Sequence, residues 1–204
     1  MDILSLFDRS GVMVKPWADA GHSVICIDMK EPKHKYGNIQ SDMRHVKAHQ
    51  FHPFDVVFAF PPCTHLAGSG ARHWKKKGPE ALKESLELVR AARAFCDLAK
   101  YWMIENPVGR LSSSWRKPDW TFDPYEYAGY SSDPDADAYT KKTCIWSNFS
   151  APVRKPVDPV LGSKMHLIGP GPDRQYLRSL TPEGFAVAVY EHLSEGADHQ
   201  LSLW

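Results

Sequence analysis

Short apolar runs, each closed by a proline or a polar residue, recur along the first half of the chain. The clearest run covers 56–61 and ends at Pro61-Pro62. Similar runs cover 3–7, 23–28 and 102–107. A short run that is apolar at successive positions is typical of a strand inside a parallel sheet, because helices cover both faces of such a sheet. Proline cannot donate a ladder hydrogen bond, so the 56–61 strand is expected to end there.

Segments with the spacing of helices lie between these runs and after the last of them. Apolar residues recur every three or four positions over 79–101, which predicts an amphipathic helix packed on the sheet. A shorter helix is predicted over about 14–21, between the first two strands. Thr181 is a good N-cap and Pro182 a good first helical residue, so a last helix is expected to run to about Leu193. This alternation predicts an α/β domain with a doubly wound, mostly parallel sheet.

The remaining part of the second half is less regular. The stretch 118–139 has no clean period and predicts a long ordered loop with short strands. Residues 139–146 predict a strand with two lysines at its start. The region 147–178 is rich in proline and glycine and predicts no strong element.

Composition and charge narrow the class of protein. The chain has 204 residues, of which 43% are hydrophobic and 24% are charged, as is usual for one soluble globular domain. No signal peptide or long apolar span is recognisable, so we expect a cytoplasmic protein without a membrane partner. The net charge of +1 gives no bulk attraction to polyanions, so any contact with nucleic acid must come from local basic patches.

The four cysteines form no C-x-x-C pair and predict neither disulfides nor a metal site. Cys63 is the one that follows directly on the Pro61-Pro62 strand end, where open α/β sheets hold their ligands. A free cysteine can also be a small buried hydrophobic residue. The position of Cys63 alone does not decide between this interpretation and a reactive role. Glu105-Asn106 closes the 102–107 strand, 42 positions after the cysteine.

Together these residues resemble the cytosine-C5 DNA methyltransferase family, most closely its compact, phage-type members. The resemblance rests on Pro62-Cys63, on Glu105-Asn106 and on an opening with the order strand, Gly11, strand, Asp28. It implies a Rossmann-like, S-adenosylmethionine-dependent methyltransferase fold, with 1–204 as a single catalytic domain. The large target-recognition domain of the family would be absent or reduced to 147–178. A phage-encoded protein would work in the host cytoplasm.

The resemblance also implies a mechanism. Cys63 would add as a thiolate to C6 of cytosine, which makes the ring carbon C5 nucleophilic. Glu105 would hold the N3 proton and the exocyclic amine, while Asn106 would brace the loop that carries the cysteine. Pro62 would fix the backbone direction. Lys142 falls where the family has an arginine, and would place a positive charge near the cytosine carbonyl.

S-adenosylmethionine is the cofactor that the resemblance implies. Asp28 matches the acid that binds the ribose, because a carboxylate can accept hydrogen bonds from both hydroxyls. Gly11 would allow backbone contact in the first turn, although the usual further glycines of this loop are missing. Asp42 would meet the adenine, and Thr181 would return to the cofactor from the last helix. The implied cofactor residues are Phe7, Gly11, Asp28, Asp42, Pro61 and Thr181.

The implied substrate is cytosine in DNA, single- or double-stranded. The segment 64–78 would be a mobile loop that closes over a flipped base and grips phosphates. Its predicted DNA contacts, together with Pro62, are Arg72, Lys75, Lys76 and Lys77, although such lysines can equally be a solvated approach to a helix. Sequence recognition would be low, or would come from a partner protein or from self-association, because the recognition domain is missing.

Two other functions remain open at this point. The same chemistry could act on a free cytosine nucleotide, since no recognition domain is needed for that substrate. Alternatively, the protein could be a catalytically silent nucleic-acid-binding protein with this fold. Transfer to an exocyclic amine is disfavoured, because Phe60 stands before Pro61-Pro62 where those enzymes have Asp or Asn.

Overall fold

A seven-stranded sheet forms the centre of the computed structural model, which describes residues 1–164 and 167–201, those from 195 on by their backbone alone. The strands are β1 (Asp2–Leu6), β2 (Ser23–Asp28), β3 (Gly37–Gln40), β4 (Phe54–Ala59), β5 (Ala99–Pro107), β6 (Trp120–Phe122) and β7 (Thr143–Ser147). Their order is β3-β2-β1-β4-β5-β7-β6, and β1 to β5 run parallel. β7 is antiparallel to both of its neighbours.

The strand order reverses between β1 and β4. The chain moves outward from β1 through β2 to β3, and then returns to continue on the other side with β4 and β5. In open α/β sheets of this kind, ligands bind in the crevice outside the carboxyl ends of the strands at the reversal. The doubly wound, mostly parallel and Rossmann-like sheet is therefore confirmed, and Cys63 follows one of the two strands at its centre.

Helices cover both faces of the sheet. They are α1 (Lys15–Asp19), α2 (Trp74–Cys96), α3 (Leu111–Ser114), α4 (Pro134–Asp137), α5 (Arg174–Ser179) and α6 (Glu183–Leu201). Of these, α2 packs on one face, while α1 and α6 pack on the other. None of the helices in the described ranges is long and apolar enough to cross a membrane.

The alternation of side chains along β4 explains why it is apolar at every position from Val56 to Ala59. Val57 lies in the core cluster under α2, whereas Val56 and Phe58 lie in the cluster with Trp17 of α1 and Phe185 of α6. All five side chains are fully buried. Successive residues of a strand point to opposite faces, so a strand covered on both faces needs apolar residues throughout. Burial of each large side chain stabilises the fold by about 1.5–3 kcal/mol.

The helix predicted over 79–101 was placed too far along the chain. It ends at Cys96, and β5 begins at Ala99, so that Tyr101 belongs to a strand. Apolar residues that lie three positions apart are compatible with the end of a helix and with the start of the following strand. The spacing alone therefore could not place the end of this helix. At its other end the helix begins at Trp74, with a break at Gly78, whose φ of 75° lies in the left-handed region.

The second half of the chain follows the predicted irregular course. Residues 118–139 contain β6, two short 3-10 turns and α4. β7 begins at Thr143, so the two lysines predicted to start this strand precede it. Between β7 and α5, no α-helix or strand occurs among the described residues of 148–173. The helix α5 itself lies at the end of the region that was predicted to lack elements.

Candidate active site

The ends of β4 and β5 bring Cys63 and Glu105 to the same edge of the sheet. Ala59 pairs with Ile104, so that Phe60, the first residue after β4, lies beside Glu105, which is still paired with Ile145 of β7. Both of them line one cavity. Cys63 follows three residues later, and the Glu105 carboxylate is close enough to act electrostatically on its thiol.

Asn106 ties these two strand ends together. Its side chain is buried, with 1% of its surface exposed, and its Nδ2 donates a hydrogen bond of 2.8 Å to the carbonyl oxygen of Pro61. Its Oδ1 is also buried and has no hydrogen-bond partner among the described residues. A buried amide held in this way is costly to remove, because the loss of one partner leaves the other unsatisfied. Asn106 therefore sets the direction in which the chain runs toward Cys63.

The turn after Cys63 is anchored to the segment after β5. Backbone hydrogen bonds join Gly68 N–H to the Val108 carbonyl and Arg110 N–H to the Leu66 carbonyl, both at 2.8 Å. Gly109 lies between these bonds, and a Cβ at this position would be 2.0 Å from the Leu66 oxygen. Only glycine fits so close an approach. Sequence analysis missed Gly109, although its place three residues after Asn106 was a usable signal.

The Cys63 thiol is held in its protonated form in this arrangement. Part of the residue is exposed, yet the surrounding protein removes water from the sulfur, and this raises the pKa of the thiol. The negative charge of Glu105 raises that pKa further, whereas Lys141 and Arg178 lower it. A thiolate is therefore favoured only after Glu105 is neutral or a further positive charge arrives.

Glu105 is suited to carry a proton. Burial raises the pKa of its carboxyl group above the ordinary value, and the positive charge of Lys141 opposes this rise. A carboxylic acid with a raised pKa keeps its proton closer to neutral pH, as a general acid requires. A general acid must start with its proton, and a nucleophilic thiol must lose its own. Glu105 suits the first role, and Cys63 is placed for the second.

The cavity at Glu105 is narrow. Its volume is about 10 Å³, room for roughly one water molecule and too little for a pyrimidine ring. It is lined by Phe60, Glu105, Phe122, Lys141, Thr143, Ser179, Leu180, Thr181, Pro182 and Phe185. Thr181, predicted to touch the cofactor, therefore lies on the same cavity as Glu105.

The helix α5 closes one side of this cavity through the residues at its end. The Lys141 ammonium group donates a hydrogen bond of 3.0 Å to the carbonyl oxygen of Arg178. In the middle of the helix, the Arg9 guanidinium lies 5.2 Å from the centre of the Tyr176 ring. The helix thus connects the loop after β1 with the cation beside Glu105. Sequence analysis did not assign a role to α5, and its glycine- and proline-rich surroundings gave no signal.

Lys141, and not Lys142, lies on the Glu105 cavity. The Lys142 side chain is 57% exposed and its ammonium lies 3.7 Å from an Asp123 carboxylate oxygen. The backbone N–H of Lys141 also donates to this aspartate, at 2.7 Å, which fixes the register before β7. The lysine on the cavity is therefore one residue before the one that the family resemblance implies, and both lysines precede β7.

The loop after β1 is organised by Asp8, which sequence analysis did not single out. Its buried carboxylate accepts hydrogen bonds from the Ser5 hydroxyl at 2.9 Å and from the Gly11 N–H at 2.7 Å. Phe7 adopts a left-handed φ of 59°, which is rare for a bulky residue and marks a tight turn. The pattern of Asp followed by Ser-Gly is the signal for such a side-chain-capped turn.

Gly11 approaches another side chain of the protein. Its φ is 69°, and a Cβ there would lie 2.8 Å from Cγ of His34. The segment 31–36 is held over this loop by hydrogen bonds from Lys33 N–H to the Arg9 carbonyl, 2.8 Å, and from Arg9 Nε to the Glu31 carbonyl, 2.9 Å. The Gly11 backbone can therefore meet a cofactor only if this segment moves.

The two acids predicted to meet the cofactor differ in their surroundings. Asp28 ends β2, accepts a 2.7 Å hydrogen bond from the Lys30 N–H, and has a pKa raised mainly by burial. Asp42 follows β3 and is paired with the Arg44 side chain, whose hydrogen bonds lower its pKa to about 2. The Asp28 carboxylate is the one with acceptor capacity suited to a pair of hydroxyl groups.

The basic run predicted as a mobile loop forms a 3-10 turn and the first turn of α2. Lys77 reaches back to the Thr64 carbonyl at 2.8 Å, next to Cys63. Arg72 donates from Nε to the ring of His73 at 3.0 Å. Lys75 and Lys76 are exposed. Among the residues that the structure describes, no group of three or more His, Cys, Asp or Glu side chains is arranged to hold a metal ion.

Comparison with known proteins gives fold-level similarities. No family model matches the chain, and no curated protein does. Among solved structures, TrmN from Thermus thermophilus is 18% identical over 60% of this chain and 38% of its own, with a TM-score of 0.38. The glycopeptide N-methyltransferase MtfA complexed with S-adenosylmethionine is 13% identical over 60% and 52%, with a TM-score of 0.30. MoeE5 in complex with UDP-glucose and NAD is 19% identical over 46% and 33%, with a TM-score of 0.32. The chain spans about a third to a half of the length of these proteins, and only the site residues bear on its reaction.

Proposed function

We propose that this chain is an S-adenosylmethionine-dependent methyltransferase that acts on C5 of cytosine in DNA through a covalent adduct with Cys63. The observation that carries the proposal is the closeness of Cys63 to Glu105 at adjacent strands, where the Glu105 charge acts on the thiol and Asn106 is hydrogen-bonded to the Pro61 carbonyl. A nucleophile beside an acid is what addition to a pyrimidine ring needs.

The chemistry assigns each group a step. The thiol of Cys63 gives its proton to solvent water, and the sulfur forms a bond to C6 of the ring. The electron pair of the C5–C6 double bond shifts to C4–C5, and the pair of the C4–N3 double bond moves onto N3, which takes the proton of Glu105. The ring is then an enamine, and its C5 is nucleophilic. After methylation, loss of the C5 proton to a base or to water and return of the N3 proton to Glu105 restore the two ring double bonds as the sulfur leaves C6 as a thiolate.

Lys141 is the cation of this proposed site. It lies on the Glu105 cavity, and its charge lowers the pKa of both Cys63 and Glu105. When the cysteine adds to the ring, negative charge develops on the ring carbonyl as well as at N3. An ammonium group beside the ring stabilises that charge as a point charge, without the two-pronged geometry of an arginine.

S-adenosylmethionine, when bound, would supply the methyl group. Asp28 has the position and the acceptor capacity to hold the ribose, and the Phe7 turn places backbone beside it. Thr181 would approach from the cavity side. The fit at Gly11 is poorer, because the His34 ring occupies the space in front of it. We therefore assign the ribose end of the cofactor to Asp28, with segment 31–36 displaced on binding.

The test is the trapping of the adduct. The purified chain is incubated with cofactor and an oligonucleotide that contains 5-fluorocytosine, which blocks loss of the C5 substituent. A denaturing gel and peptide mass mapping should show a band linked at Cys63. The Cys63→Ala variant should bind cofactor with unchanged affinity and give no band. A linkage at another cysteine, or full methylation by Cys63→Ala, would refute the mechanism.

A free cytosine nucleotide is the second candidate substrate. It is favoured by the described residues of 148–173, which contain no α-helix or strand from which a recognition domain could be built. The same assay with 5-fluoro-dCTP separates the two substrates. If neither substrate is trapped or methylated while DNA still binds, the protein is a silent nucleic-acid-binding protein.

A further inference from the structure

A rim of cationic, aromatic and aliphatic side chains lies next to Cys63. We call it the Trp74 rim, and its members are Arg72, Trp74, Lys75, Lys76, Val108 and Arg110. Four of them follow Cys63 along the 3-10 turn and the first turn of α2. The other two belong to the segment after β5 that is hydrogen-bonded to the Cys63 turn. The rim is therefore one continuous surface built from both strand ends of the site.

The indole of Trp74 is held in place within this rim. The Arg110 guanidinium lies 4.9 Å from the centre of its ring, a distance typical of a cation–π contact. The ring is partly exposed, and its buried Nε1 has no hydrogen-bond partner among the described residues. An aromatic ring fixed by a cation beside it is the arrangement on which nucleic-acid bases stack.

The exposed part of the rim mixes apolar surface with positive charge. Val108 is 52% exposed, which is unusual for a valine beside a polar site. Arg72, Lys75 and Lys76 are exposed as well. A duplex hides the faces of its bases in the stack and presents phosphates and groove edges. A single strand presents base faces together with phosphates, and this combination matches the rim.

We propose that the Trp74 rim binds single-stranded DNA, and that the substrate cytosine reaches Cys63 from a single strand. This inference rests on the proposed function and specifies its substrate. Enzymes that act on a duplex must extrude the base, which costs free energy that is absent for an unpaired base. The irregular segment 148–173 offers no element, in its described part, that could hold a duplex open.

The first experiment compares nucleic-acid forms with the full chain. Labelled oligonucleotides of one sequence with a central 5-fluorocytosine are offered as a DNA strand, as its duplex and as the matching RNA. Fluorescence anisotropy without cofactor measures binding, and denaturing gels with cofactor measure trapping. We expect the DNA strand to bind and to be trapped at least about tenfold better than the duplex. Equal or better use of the duplex, or a preference for the RNA, would overturn the inference.

The second experiment tests the rim itself. Trp74→Ala should weaken binding of the DNA strand by about five- to a hundredfold, as the loss of one stacked base does, and Trp74→Phe should restore part of it. Lys83→Ala is the matched control, because Lys83 lies on the same helix beyond the Gly78 break and pairs only loosely with Glu80, at 3.8 Å. Equal losses in Trp74→Ala and the control would overturn the assignment of the rim.

A charge variant tests the rim even if the tryptophan variants do not fold. Replacing both Lys75 and Lys76 by alanine changes only exposed side chains. If each contacts a phosphate, the slope of log affinity against log salt for the DNA strand should fall by about 1.4. An unchanged slope would mean that neither lysine contacts a phosphate, and both would then be excluded from the binding surface. A rim that binds the strand while no adduct forms would leave the binding part of this inference standing, and would count against the proposed reaction and the delivery of the cytosine to Cys63.

Discussion

The two walls of the Glu105 cavity are held in different ways. On the strand side, Asn106 is bonded to the Pro61 carbonyl, and two backbone hydrogen bonds fasten the Cys63 turn to the segment around Gly109. On the other side, α5 has six residues, accepts a hydrogen bond from Lys141 at the Arg178 carbonyl and contacts Arg9 through the Tyr176 ring.

This difference indicates which wall moves. A helix as short as α5 is not stable by itself, so its position depends on its contacts with the rest of the protein. The strand wall is part of the sheet, and the buried Asn106 amide cannot be displaced without loss of its hydrogen bond. Since the narrow cavity of about 10 Å³ cannot admit a base, we expect α5 to move away while the strand wall keeps its geometry.

The largest effect is expected at Glu105, on the strand wall. Glu105→Gln keeps the shape of the side chain but removes its exchangeable acid proton. Adduct formation should slow by about 10²- to 10⁴-fold, the usual contribution of one general acid. Single-turnover trapping with the 5-fluorocytosine strand measures this rate. A rate within threefold, or about half a logarithmic unit, of the wild type would contradict the role of the acid.

The same variant makes a prediction for stability. Because burial raises the pKa of Glu105 above its ordinary value, the folded protein binds this proton more tightly than the unfolded chain. The free energy of unfolding should therefore fall as the pH rises from the ordinary value through the raised one. Urea unfolding over this range should show a steeper decline for the wild type than for Glu105→Gln, in which only other acids with raised pKa values, such as Asp28, contribute.

The next largest effect is expected from Gly109→Ala, which disturbs the fastening of the strand wall. The new Cβ would lie 2.0 Å from the Leu66 oxygen, so the backbone must shift and the Cys63 turn with it. The free energy of unfolding should fall by about 1–3 kcal/mol, and adduct formation by about 10²-fold. Gly70→Ala is the control, since no atom lies within 4 Å of a Cβ there. If the two variants had equal free energies of unfolding and equal rates of adduct formation, the strand wall would not be rigid.

A smaller effect is expected from Asp28, which tests whether a strand end also positions the cofactor. Asp28→Ala should weaken binding of S-adenosylmethionine by about 1–3 kcal/mol, the value of a charged hydrogen-bond acceptor. Isothermal calorimetry gives the affinity. Asp19→Ala, which removes an exposed acid paired with Lys15 on α1, is the control and should leave it unchanged. An undiminished affinity of Asp28→Ala for S-adenosylmethionine would mean that the ribose does not bind at Asp28.

The smallest effect, and one of opposite sign, is expected on the α5 wall. Tyr176→Ala removes the contact with Arg9, which is worth about 0.5–1 kcal/mol. The open form should become about two to five times more populated, and trapping should accelerate by the same factor. Hydrogen exchange of the α5 amides should rise in parallel, whereas Gln175→Ala should change neither. Slower trapping with Tyr176→Ala would mean that α5 contributes to catalysis instead of closing the cavity.

Local pattern was enough to predict the sheet and the strand ends that carry the chemistry. The apolar runs correspond to β1, β2, β4 and β5 because strands covered on both faces must be apolar at successive positions. The positions of Cys63 and Glu105 follow from where those runs end. The strand order was not predictable in this way, since which strands become neighbours depends on crossovers and not on the strands themselves.

Only the tertiary structure decided which side chains meet in the site. Lys141 rather than Lys142 reaches Glu105 because Asp123, distant in sequence, fixes the register before β7. Gly109 is required by an oxygen of the Cys63 turn, and His34 lies against Gly11 through a loop that follows another strand. Periodicity describes how one segment faces its surroundings, whereas these contacts join segments whose approach is set by the packing of the whole sheet.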